Sequence, residues 1–171
     1  IHYFVTGAIA ELALLRAAEP GVADRRAEFW SAALALRDLL KFEFFFPDRE
    51  HFLAELREEI SFHAPDWEER IGEGPAAIHA LVRRFRPLSA HRVARPFLES
   101  YRVVAEALLR WGTEKPVDKG ELMSRALALG KQWLLQQRIR GAESVSKSYF
   151  ETALRLADNR KLLGAGAGDL D

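Results

Sequence analysis

Apolar side chains recur at helical spacing through almost the whole chain, and no stretch alternates apolar and polar residues as a half-buried strand does. On a wheel of about 100° per residue, Ile1, Phe4, Val5, Ala8, Leu12 and Leu15 form one stripe, while Tyr3, Ala10 and Leu14 form a second almost opposite it. A helix with two apolar faces is expected to lie between two bodies. One would be the core of this chain and the other a domain outside it, with Tyr3 and Leu14 as interdomain contacts. A second helix is predicted from about Asp24 to Pro47. Its charged positions Arg37, Asp38 and Lys41 share a narrow stripe, and Phe29, Leu36, Leu39, Leu40, Phe42, Phe44 and Phe46 cover most of the rest. Pro47 ends it and Asp48 opens the amphipathic run DREHFLAELREEI.

Further on, Pro96 suits the first turn of a helix whose seam is Phe97, Tyr101, Val104, Leu108 and Trp111. Asp118 and Glu121 read as a capping box before Leu122, Ala126, Leu129 and Trp133, with Gly130 either a mild cost or a close-packing point. Val145, Tyr149, Ala153 and Leu156 line the last helix. Proline and glycine punctuation divides the chain into about seven or eight helices, so the fold class is all-α, a helical bundle. Residues 1–163 are expected to form one helical domain, and residues 164–171 a flexible glycine-rich tail.

The 171 residues suffice to bury roughly 70% of the unfolded surface without a covalent staple. The absence of cysteine excludes disulfides, thiolate metal sites and cysteine nucleophiles. With 25 basic and 25 acidic residues the formal net charge is zero, so any charge-driven binding is local and nucleic acid is not an expected partner. The opening segment is too short to cross a bilayer, which takes about 20 apolar residues. Since the chain opens on Ile1 rather than methionine, it is expected to be a piece of a longer polypeptide.

The sharpest charge feature is RRFRPLSAHRVAR. Arg83, Arg84, Arg86, Arg92 and Arg95 stand there with no acid between Glu73 and Glu99. Such a patch suits anionic lipid headgroups, or a neighbouring domain and its phosphate-bearing ligands. An ordinary solvated helix face with intramolecular pairs would carry the same residues. Glu43, set among phenylalanines on the expected wide apolar side, requires a distant partner, an arginine of another helix for instance. His51 with Glu55, and His63 with Asp66, are pairs where a metal site needs three or four ligands, so neither metal nor cofactor is expected. Ser148, three residues before Glu151, suits a helix cap better than a nucleophile.

LRDLLKFEFFFPDREHFLAEL, RPFLESYRVVAEALL, the long ending GKQWLLQQRIRGAESVSKSYFETALRLADNRKLL and the opening IHYFV resemble the C-terminal region of glycerol-3-phosphate acyltransferases, most closely the actinobacterial form. The resemblance runs almost end to end. It implies a parent enzyme, peripheral on the cytoplasmic side of the cell membrane, that moves a fatty acyl group from acyl-CoA or acyl carrier protein to glycerol 3-phosphate. The family's catalytic motif, H-x-x-x-x-D, belongs to an N-terminal acyltransferase domain. Here the residues five after His2, His51, His63, His79 and His91 are Gly7, Leu56, Glu68, Arg84 and Pro96, so no catalytic residue is carried over. The segment would be the non-catalytic helical domain of that enzyme, with the acyltransferase domain as its partner. The rival class is a free-standing interaction module, such as the ligand-binding and dimerisation domain of a tetracycline-repressor-type regulator.

Overall fold

The computed structural model describes residues 2–85, 90–112 and 116–164, with side chains from Phe4 onward. Among these there are eight α-helices and no strand: α1 His2–Ala17, α2 Arg25–Leu40, α3 Arg49–His63, α4 Trp67–Arg70, α5 Pro75–Val82, α6 His91–Trp111, α7 Lys119–Leu135 and α8 Lys147–Asn159. A single 3₁₀ turn, Ala142–Ser144, precedes α8. They form two compact units, residues 1–94 and 95–171. Most of the residues of the expected tail lie outside the described ones.

The first unit is built around α1, which packs on α2, α3 and α5. Val5, Ala8, Ile9, Ala10, Ala13, Leu14 and Ala17 are all buried, so α1 is enclosed on most of its circumference by helices of its own chain. Here the expectation of an outward second stripe fails. Leu14 is fully buried and faces neither water nor an outside domain, while Phe4 and Leu15, assigned to the inward stripe, are the exposed pair at 62% and 38%. The reason is the placement of the neighbours, since the three helices around α1 take in the second stripe and leave the first stripe open at Phe4 and Leu15. The side chain of Tyr3 lies outside the described residues.

Helix α2 starts as expected, with the Asp24 carboxylate accepting from the Ala27 N–H at 3.0 Å. It stops at Leu40, seven residues before Pro47, where the Glu43 and Phe44 N–H groups both donate to the Leu40 carbonyl. Beyond that turn the chain bends at Phe44 and is non-helical to Asp48, and its side chains differ in burial. Phe44 is buried, Phe45 is 83% exposed, and Phe46 sits edge-on to Phe52 at 5.6 Å. Pro47 disfavours helix at Phe46, and the Arg37 guanidinium donates to the Pro47 carbonyl while lying over the Phe46 and Phe52 rings. Glu43 is therefore half-exposed on a turn and is not the enclosed carboxylate the sequence suggested.

Asp48 caps α3 through the His51 N–H, and Gly74 precedes Pro75 of α5 with φ of 120°, a conformation that only glycine adopts without strain. In the second unit, Leu122, Ala126, Leu129 and Trp133 of α7 are buried as expected, and α7 packs on α8. Asp118 caps α7 by accepting from the Glu121 N–H at 2.7 Å. Two local readings change. Helix α6 begins at His91, which puts Pro96 inside it. Ser146, not Ser148, stands at the N-cap of α8.

Candidate functional site

The described arginines of the run differ in their partners. Arg83, Arg84 and Arg92 belong to the first unit, Arg95 to the second, and Arg86 lies outside the described residues. Arg84 is committed to the fold, because it shares the Asp66 carboxylate with Arg70, whose Nε donates at 2.7 Å. Hydrogen bonds from Arg84 first and Arg70 second hold the Asp66 carboxyl below its ordinary value of 3.8. Arg83 and Arg92 are exposed and have no acidic partner among the described residues. Among the described residues of this unit, they are the members of the anticipated cationic patch without an acidic partner.

Behind the run is an enclosed carboxylate. Glu11, on α1, is 1% exposed and accepts from the Ala90 N–H at 3.3 Å, the His91 N–H at 3.0 Å and the His91 ring at 2.7 Å. The carboxylate oxygens accept, so the ring hydrogen sits on Nδ1. A helix start has unsatisfied N–H groups and partial positive charge, a ready site for an anion. Glu11 already occupies that position on α6, so a phosphate held by this region would depend on the arginine side chains. Sequence reasoning passed over Glu11 because its partners stand about eighty residues away. Its one local sign was an acid in an otherwise apolar helix.

A similar polar knot lies in the second unit. Glu99 accepts from the Arg140 N–H and, at 2.6 Å, from the Ser144 hydroxyl, while the single Ser100 O–H is within reach of the carbonyls of Pro96 and Ser144 at 2.6 and 2.7 Å. Ser100 and Ser144 are fully buried. These groups close each other's hydrogen-bonding needs, and none is aimed at an open cavity.

Like His91, two further histidines take structural partners. His51 Nδ1 is 2.6 Å from Asp48, and His63 is 3.6 Å from Glu59 with its ring tilted against Phe85. Among the described residues no three metal-ligating side chains converge, and no helix is long and apolar enough to cross a membrane.

The model of the glycerol-3-phosphate acyltransferase C-terminal region matches residues 1–166 of the chain. The chain belongs to this family. Membership across almost the full length also separates it from the regulator-type module considered above. Proteins named "Putative acyltransferase plsB1" from Mycobacterium bovis and from two strains of Mycobacterium tuberculosis are 40% identical to it over 173 residues. The alignment takes in 99% of this chain but only 28% of each relative. No solved structure matches significantly. Of the described arginines of the run, then, Arg84 is held by Asp66, while Arg83, Arg92 and Arg95 have no acidic partner among the described residues.

Proposed function

We propose that the chain is the non-catalytic helical domain of a membrane-associated glycerol-3-phosphate 1-O-acyltransferase. The parent polypeptide moves a fatty acyl group from acyl-CoA or acyl carrier protein to glycerol 3-phosphate, the opening step of phospholipid synthesis. The observation that carries this reading is the family match over residues 1–166, in a region that makes up 28% of each acyltransferase relative. Two further points support it. None of the five histidines stands five residues before an aspartate, and the best-buried acid, Glu11, is spent on a helix end. Neither offers a general base beside an open substrate position, which acyl transfer to a hydroxyl requires. The parent acts at the cytoplasmic face of the cell membrane as a peripheral protein, with Arg83 and Arg92 toward anionic headgroups and the acyltransferase domain as the partner of this one.

The test is acyl transfer from acyl-CoA to glycerol 3-phosphate, measured for the full polypeptide and for these 171 residues alone. Turnover is expected from the first and none from the second. Turnover by the short chain above a heat-killed control, abolished by His63→Ala, would overturn the assignment of a non-catalytic role.

A further inference from the structure

The first unit has an open, largely apolar groove between α1, α3 and the segment after α2. Phe44, Phe45 and Phe46 of that segment and Phe62 at the end of α3 give it an aromatic floor. Phe45 is 83% exposed and Phe62 85%, in a chain whose other phenylalanines are mostly covered. Along the rim stand Glu55 and Glu58, one helical turn apart on α3 and both exposed. Neither pairs with a cation among the described residues, whereas Glu59 beside them is taken by His63. Aromatic floor and unpaired acidic rim occur together because positions 55, 58 and 62 share one face of α3.

Charge selects among occupants. Anionic headgroups would meet the two glutamates, and a second copy placed groove to groove would oppose acid with acid. The complementary occupant has apolar side chains for the floor and lysine or arginine for the rim. A patch this narrow also favours a tethered occupant, which is presented at an effective concentration on the order of millimolar. The aligned region makes up only 28% of each relative, which leaves ample chain to supply one.

We propose that this groove docks a basic amphipathic segment of the acyltransferase polypeptide outside these 171 residues. The inference rests on the proposed function for the existence of that polypeptide, and it adds which surface engages and the chemistry of what it holds.

The test uses the full polypeptide with photoreactive benzoylphenylalanine in place of Phe45 or Phe62, irradiated and mapped by mass spectrometry. Both positions are expected to crosslink within the molecule to one segment that has lysine or arginine beside apolar residues. Glu55→Lys with Glu58→Lys, two exposed positions, should cut that yield at least about fivefold at low salt. Crosslinks to lipid, to a second copy or to a segment without basic residues would overturn the proposal, as would no crosslink or a yield indifferent to the charge reversal. Acyl transfer by the unsubstituted polypeptide is measured in parallel. An inactive polypeptide with the expected crosslinks refutes the reaction and leaves the docking standing, while an active one without them does the reverse.

Discussion

Glu11 is enclosed by apolar neighbours on α1, and its burial is tolerated because the Ala90 and His91 N–H groups and the His91 ring all donate to it. Glu11→Ala removes the acceptor and leaves those donors partly buried with none, so it should lower stability by about 2–4 kcal/mol in urea unfolding. Glu11→Gln, which keeps an acceptor oxygen, should cost less. Asp66 gives a different signature. Its folded carboxyl lies below 3.8 because Arg84 and Arg70 donate to it, so its contribution is present in full above that value and is lost as pH falls through the lower folded value. The advantage of the wild type over Asp66→Asn, read as the shift in unfolding midpoint, should therefore hold at pH 7, begin to shrink as pH drops below about 3.8, and vanish only below the lower folded value. An advantage that grew on acidification would contradict the Arg84 pair. Glu43 drew attention by its phenylalanine neighbours and Glu11 drew none, because a helical wheel shows which residues are adjacent in one element and nothing of a partner on another.

Helix starts were easier to place than helix ends. Asp24, Asp48 and Asp118 each cap the helix expected of them, because the capping bond spans only three residues. The end of α2 depended on packing instead, with Arg37 and Phe52 holding the non-helical segment 44–47 against the first unit. Gly130 lay between two readings, and the structure decides for close packing. A Cβ there would stand 3.1 Å from Val145 Cγ1 and 3.3 Å from the ring tip of the fully buried Phe150. Gly130→Val adds two methyl groups beyond that Cβ and should destabilise the fold by about 1–3 kcal/mol through overpacking, despite removing a helix glycine. Thermal or urea unfolding with helix content followed by circular dichroism measures this. A variant more stable than the parent would mean that Val145 moves aside.

With equal numbers of acidic and basic residues, the molecule has no overall field to draw it to a surface, and membrane contact would depend on which arginines remain free. Anionic vesicles should bind it more than neutral ones, and the difference should fade as salt shortens the screening length to about 8 Å. Arg83→Ala with Arg92→Ala should weaken that binding about thirtyfold, at about 1 kcal/mol per basic residue near the surface. Arg84→Ala should act mainly on folding, through Asp66. Sedimentation with vesicles of the two compositions separates these effects, and equal binding to both at low salt would remove the headgroup role. Continuous helical periodicity through α6 hides the boundary between the two compact units, which falls between Ala94 and Arg95.

The all-helical class, the Asp24, Asp48 and Asp118 caps, the inward face of α7 and the likeness to the acyltransferase C-terminal region could all be read from the sequence. Each depends on residues within a few turns of one another or on long runs of residue identity. Tertiary structure alone decided that the second stripe of α1 lies inside its unit, that Leu14 is core and Phe4 surface, and that the FEFFF stretch leaves the helix. It alone joined Glu11 to His91 and divided the arginines into paired and free. These outcomes turn on which helices become neighbours, and a carboxylate or an apolar face is satisfied by whatever packs against it, however distant in the chain.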